Sequence, residues 1–147
     1  MMSIQTLYDT DFGEWIQGHI VLLKESRLNE IDTKHLIEEL EDMGKRDKRE
    51  LKNRLEVLIM HLLKWQYQAE QRSNSWKSTI KEQRRKLNRL LKDAPSLKNN
   101  IDETVLDVYA DAAAWASEET GLSQDIFAAQ CSYTQDQLLD ESFYPND

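Results

Sequence analysis

The stretch RLEVLIMHLLKWQYQAEQRSNSWKSTIKEQRR, Arg54 to Arg85, decides the fold. An apolar helix runs into two tryptophans, passes a short polar break and leaves as a basic helix. Leu51, Leu55, Leu58, Ile59, Leu62, Leu63 and Trp65 recur at helical spacing and make one wide apolar face. Gln66 falls inside that face, and Arg54, His61 and Gln68 lie along one flank. The break is Gln71-Arg72-Ser73-Asn74-Ser75, where a serine or Asn74 offers the next N-cap. Trp76, Ile80, Leu87, Leu90 and Leu91 form a second stripe, with Gln83 in its middle and Arg84 at its edge. So short a break predicts an antiparallel helix pair. Folded about residue 72 or 73, the pair brings Leu62 opposite Gln83, His61 near Arg84 and Trp65 near Ile80.

That register predicts a polar cluster, His61, Gln66, Gln83 and Arg84, in an otherwise apolar seam. Buried polar groups must be paired, and a satisfied network fixes one packing register. The plainer reading is therefore structural. The sharper one is an anion pocket, with Lys64, Arg72 or Arg84 holding the anion and Trp65 or Trp76 as a wall.

Outward from this hairpin the chain is acidic. Residues 1–44 carry 3 basic and 10 acidic side chains, residues 45–98 carry 16 and 6, and residues 99–147 carry none and 11. The net charge of −8 thus hides a basic centre between acidic flanks. A basic segment suggests nucleic acid, but acidic flanks folding over it would neutralise it and repel phosphates. A length of 147 residues with 39% hydrophobic content predicts one domain with a real core, here about 8–121 plus a docked acidic tail over 122–147. No apolar run reaches membrane-spanning length, and the first residues lack a signal pattern, so a cytosolic protein away from membranes is expected. Cys131 is the single cysteine, which excludes an internal disulfide and a thiolate zinc site.

Asp9 or Asp11 caps a first helix whose stripe is Phe12, Trp15, Ile16, His19, Leu22 and Leu23, ending near Arg27. His19 reads as a packing residue. Asp32 caps the next helix, with Leu36, Ile37, Leu40 and Met43 facing inward and Glu38, Glu39, Glu41 and Asp42 outside. Gly44 marks a kink or break there, although the spacing from Leu40 to Leu51 also permits one long helix. A carboxylate-bridged metal bundle needs Glu-x-x-His pairs, and the chain has none, so neither metal nor cofactor is expected. Pro95 stops the basic helix and Ser96 caps the following one, whose stripe is Ile101, Val105, Val108, Ala112, Trp115 and Ala116, with Gly121 as its stop. In the tail, Thr134-Gln-Asp-Gln137 makes a capping box before Leu138, Leu139, Phe143 and Tyr144. The whole reads as an all-α, single-domain bundle of four to five helices around a central antiparallel hairpin, with a short C-terminal helix.

Several pieces together carry a resemblance: Tyr8-x-x-Asp11-Phe12-x-x-Trp15, LIEELEDMG at 36–44, HLLKWQYQ at 61–68, Arg72-Ser73-x-x-Trp76, Gln83-Arg84, Pro95-Ser96-Leu97 and QLLDESFYP at 137–145. The chain resembles the largely cyanobacterial family catalogued as domain of unknown function number twenty-nine. The resemblance implies an all-helical domain of the bacterial cytosol with no assigned activity. That family commonly shows proline beside the late cysteine, where this chain has Gln130-Cys131-Ser132. Matching polar positions are Glu38, Glu41, His61, Lys64, Gln66, Arg72, Gln83 and Arg84.

Three functions compete. A non-catalytic helical interaction or scaffold protein, self-associating or bound to a protein partner, fits amphipathic helices of opposite charge with no nucleophile–base pair or phosphate loop. Single-stranded nucleic acid binding by the basic hairpin 64–92 would stack bases on Trp65, Tyr67 and Trp76 and meet phosphates with Lys64, Arg72, Lys77, Lys81 and Arg85; overall acidity disfavours it. A small hydrolase or nuclease would use His61 as base, Arg72 or Arg84 as clamp, and Glu38 or Glu41 to hold metal or water.

Overall fold

The computed structural model describes residues 3–146, and every regular element in them is helical. The α-helices are α1 (Ile4–Thr10), α2 (Phe12–Lys24), α3 (Thr33–Tyr67), α4 (Asn74–Asp93), α5 (Ile101–Thr120) and α6 (Gln135–Leu139). They form two compact units, one up to Arg46 and one from Asp47. Helix α3 contributes its first part to one unit and its remainder to the other.

In the C-terminal unit the two predicted stripes become one core. Leu51, Leu55, Leu58, Ile59, Leu62 and Leu63 of α3 pack with Ile80, Leu87, Leu90 and Leu91 of α4. Ile101, Val105, Val108, Ala112, Ala113 and Ala116 of α5 complete it. Trp115, predicted on the same stripe, is instead 36% exposed. Ser73 caps α4, its hydroxyl accepting from the Trp76 N–H at 3.2 Å. Pro95 opens a 3-10 turn, Pro95–Asn100, which absorbs Ser96, so α5 begins at Ile101 without a side-chain cap. Gly121 ends α5 at φ +75°, a left-handed position that costs glycine nothing. The capping box of Thr134 and Gln137 forms as predicted and opens α6.

The hairpin register differs from the expected one. Helix α3 stops at Tyr67 and Ala69–Gln71 is a 3-10 turn, so the chain reverses about three residues earlier than predicted. Moving the pivot of an antiparallel pair shifts each partner by twice that amount. Gln83 therefore meets Arg54 instead of Leu62, and Trp76 meets Lys64.

In the N-terminal unit a separate α1, capped by Ser3, precedes the predicted first helix. Asp11 caps α2 by accepting from the Glu14 N–H at 3.1 Å. Gly18 lets α1 approach, since a Cβ there would sit 3.0 Å from Ile4 Cδ1. Helix α2 ends at Lys24, short of Arg27, and Ser26 takes φ +55° in the turn that follows. No break occurs at Gly44: α3 continues through it, because one glycine costs only about 1 kcal/mol in a helix of good formers. Of the stripe expected to face inward, Leu36 is half-buried and the other three residues are exposed. Ile37, Leu40 and Met43 are 55%, 58% and 52% exposed. The described residues contain no helix long and apolar enough to cross a membrane.

Candidate functional site

The four residues expected to share one cluster bond to four different places. His61 Nδ1 lies 2.9 Å from the Val57 carbonyl on its own helix. Gln66 Oε1 accepts from the Tyr133 hydroxyl at 2.6 Å. Gln83 Oε1 accepts from Arg54 Nη1 at 3.4 Å. Arg84, fully buried, faces the C-terminal tail: Nε donates to Leu138 O at 3.0 Å, Nη2 to Gln137 O at 3.0 Å and Nη1 to Phe143 O at 2.6 Å.

These carbonyls explain how a guanidinium survives without water. Gln137 and Leu138 lie in the last turn of α6, whose carbonyls lack helical partners and carry negative partial charge. The rings of Phe143 and Tyr144 lie 5.9 and 5.6 Å from the guanidinium carbon. Burial lowers the pKa of Arg84, opposed by Tyr144, Asp140 and Glu141. Asn88 adds a hydrogen bond to Leu139 O at 3.3 Å. Arg84 is thus the anchor of the tail.

The aromatic walls of the predicted pocket are occupied as well. Lys64 Nζ sits 4.6 Å over Trp76. Arg72 lies 5.0 Å over Trp65 and donates from Nε to the Trp65 carbonyl at 2.8 Å. Trp65 packs on Tyr144 at 4.9 Å, and Tyr67 on Phe127 at 5.1 Å. Burial pushes the His61 pKa down; the Val57 carbonyl opposes this and Lys64 assists it. Burial pushes the Cys131 thiol up, and the Tyr133 carbonyl opposes this. The acidic C-terminal flank reaches the basic segment largely through carbonyls and rings; among the described residues an ion pair also joins Lys52 to Asp107 at 3.6 Å. Along the exposed side of α4, Lys77, Lys81, Arg85, Arg89 and Lys92 face solvent.

A second polar site, read in the sequence only as a cap and a packing histidine, lies in the N-terminal unit. Asp32 is 4% exposed and caps α3. Its Oδ2 accepts from Trp15 Nε1 at 3.1 Å and from His35 Nδ1 at 2.6 Å, and its Oδ1 from the His35 N–H at 3.4 Å. Burial works to raise its pKa, but the bonds from His35 and Trp15 outweigh it and leave the carboxyl below its usual range. His19 closes the loop: its Nε2 accepts from the Asp32 N–H at 2.9 Å. The proton must then sit on Nδ1, which donates to the Trp15 carbonyl at 2.9 Å. His35 stacks on Tyr8 at 4.0 Å, and the Tyr8 hydroxyl donates to Glu39 at 2.5 Å, which pushes that phenol up to about 12. A carboxylate holding histidine Nδ1 also orients catalytic bases. Here the neighbours are aromatic rings and backbone groups, which makes it a cap network. The signal available in the sequence was the i, i+4 pair Trp15–His19 and the i, i+3 pair Asp32–His35.

Fold and sites together define an all-helical protein whose buried charges are held by its own backbone, rings and polar side chains. A family model described as Domain of unknown function DUF29 matches residues 7–144 of the 147. The chain belongs to that family. Neither a curated protein nor a solved structure matches it.

Proposed function

We propose that this protein is a non-catalytic helical interaction module that grips a partner helix with its N-terminal unit. One observation carries the reading. Of twelve exposed large apolar side chains among the described residues, nine lie between Phe12 and Met43. Phe12, Ile16, Ile20 and Leu23 stand four, four and three apart on α2, one continuous stripe beside the buried Trp15, His19 and Leu22. Exposed apolar patches of this kind mark interaction sites. The acidic balance of residues 1–44 favours an amphipathic helix with basic flanks. The hydrolase reading has less support, since Arg84 is committed to the tail and His61 to its own helix.

The test is fluorescence anisotropy with a labelled amphipathic helical peptide, leucine on one face and lysine on the other. The full chain should bind it, and Ile16→Glu with Ile20→Glu should weaken binding at least about tenfold, since each buried isoleucine contributes more than 1 kcal/mol. Equal binding by both proteins would overturn the reading.

The exposed cation row of α4 favours a second reading, anionic polymer binding. Its support is reduced because Trp65, Tyr67 and Trp76 already have partners within the chain. A gel shift with single-stranded oligonucleotide at low salt decides it: binding through this row should fall steeply with salt and with Lys81→Glu plus Arg85→Glu.

A further inference from the structure

After α6 the chain forms no further helix, and residues 140–145 lie as a strap along the edge of α4. Three residues of the strap meet cations or rings of the hairpin. Phe143 gives its carbonyl to Arg84 Nη1 at 2.6 Å. The Tyr144 ring lies 4.9 Å from Trp65, 5.8 Å from Lys77 Nζ and 5.6 Å from the Arg84 guanidinium carbon. Glu141 faces Lys81 and Arg85 across a cleft of about 640 Å³. The strap thus offers the hairpin a flat ring and a nearby anion, the two groups that a nucleotide of a single strand presents. It fits the seat imperfectly. The Tyr144 hydroxyl is buried and has no hydrogen-bond partner among the described residues, which weakens the hold of the strap. Arg84 is fully buried, yet it bonds only neutral carbonyls, while Asp140 and Glu141 act on it from a distance. A guanidinium prefers a full anion, which it grips with two parallel bonds.

We propose that the strap is an autoinhibitory contact, seated where a base and phosphate of single-stranded nucleic acid would otherwise bind, on Trp65, Lys77 and Arg84. When the strand binds, the strap swings away. Helix α6 stays docked, because Gln137 and Leu138 keep their bonds from Arg84 and Asn88 keeps Leu139. Only Arg84 Nη1 is released, with Trp65 and Lys77 uncovered beside it. The surface that opens is continuous with the exposed row of α4, since Lys77 and Lys81 both border the strap and belong to that row. A base stacked on Trp65 would therefore carry its neighbours' phosphates onto Lys81 and Arg85. The inference rests on the second reading, anionic polymer binding. It makes the partner of Trp65 within the chain a removable one.

The experiment is fluorescence anisotropy of a labelled single-stranded oligonucleotide at low salt, with the full chain and its variants. Tyr144→Ala leaves the net charge unchanged and uncovers Trp65, so it should tighten binding at least about tenfold, as one stacked base does. Glu141→Gln should tighten binding more than Glu118→Gln, which removes the same charge from the exposed side of α5. In the Tyr144→Ala background, Lys81→Glu with Arg85→Glu should abolish the gain. If Tyr144→Ala fails to fold, hydrogen exchange on the wild type replaces it. Saturating oligonucleotide should then speed exchange of the amides of residues 141–144 and leave those of α5 unchanged; slower exchange in the strap overturns the inference. Equal binding by wild type and Tyr144→Ala also overturns it, while anionic polymer binding stands. A gain that survives the double charge reversal places the strand elsewhere and overturns it too. Absence of binding by every variant at low salt removes both the inference and the reading beneath it.

Discussion

The two units solve the problem of stability in opposite ways. From Asp47 on, twenty-two buried apolar residues among those described form one cluster, and a fully buried charge, Arg84, is inserted into it to hold the tail. Among the described residues up to Arg46 the buried apolar ones are Trp15 and Leu22, and His19 and Asp32 are buried beside them. The larger unit has enough surface to bury that hydrophobic burial dominates. The smaller one relies on a ring of hydrogen bonds around one carboxylate and leaves much of its apolar surface in water.

The sharpest way to break the contrast is at Arg84. Arg84→Leu fits an apolar environment but strands one buried and two part-buried carbonyls, so it should cost about 3 kcal/mol in urea melts. It should also release the tail to proteolysis after α5. Arg84→Lys keeps the charge and loses the planar fork, for roughly half that loss. A leucine variant within about 0.5 kcal/mol of wild type would mean that the carbonyls find water and that the core alone carries this unit.

The corresponding test of the smaller unit is Asp32→Ala, which removes the α3 cap and the acceptor for Trp15 and His35. The expected cost is about 2 kcal/mol. It should appear first as faster amide exchange at residues 33–36 and as a change in Trp15 emission, while α4 and α5 amides stay protected. Uniform loss of protection across α4 and α5 would show that the two units do not differ in how they are held.

Acid separates them again. His61 has a folded pKa below the ordinary 6.5, so the unfolded chain binds its proton more readily. Its contribution is fully present above about 6.5 and is lost as pH falls through the lower folded value. Asp32 has the same sign at lower pH: its contribution is present above the ordinary 3.8 and lost only below it. Thermal melts of wild type and His61→Asn should therefore diverge at high pH and converge on acidification toward pH 5. A constant difference would place His61 in a solvated site.

Much of the fold was legible because local chemistry agreed with it. Ser73, Gly121 and the Thr134–Gln137 box mark element ends by hydrogen bonds within a few residues of themselves. The helical spacing of Leu51 to Leu63 found the core because that face is buried along its length. The same periodicity misled at Ile37, Leu40 and Met43, since an amphipathic pattern reports a face fit for burial without saying in what. The hairpin register was not legible either. A 3-10 turn at Ala69–Gln71 has no strong signature, and its small displacement is doubled across the pair. The predicted cluster dissolved for that reason. Arg84 was singled out correctly as unusual, but its partners are carbonyls more than fifty residues away, and every residue has a carbonyl. The Asp32 network needed two short spacings brought together by a turn, and each alone is unremarkable.

The smallest effect tests the register itself. In the expected register Gln83 and His61 share a network, so Gln83→Leu with His61→Leu would cost less than the sum of the single changes. In the observed one Gln83 accepts from Arg54 at 3.4 Å and His61 bonds to Val57, with no partner in common. The Gln83–His61 double change should then be additive within about 0.5 kcal/mol. Gln83→Leu alone should cost about 1 kcal/mol or less, since the bond is long and its carbonyl oxygen is neutral. Arg54 also reaches Glu50 at 3.6 Å, while its Nε is buried without a partner. Gln83→Leu should therefore couple to Arg54→Leu, because losing one strands the other. Lys81→Ala, exposed on the same helix, is the control and should stay within about 0.5 kcal/mol of wild type. Coupling to His61 and none to Arg54 would restore the later turn and with it the seam cluster; coupling to Arg54 alone fixes the hairpin as described.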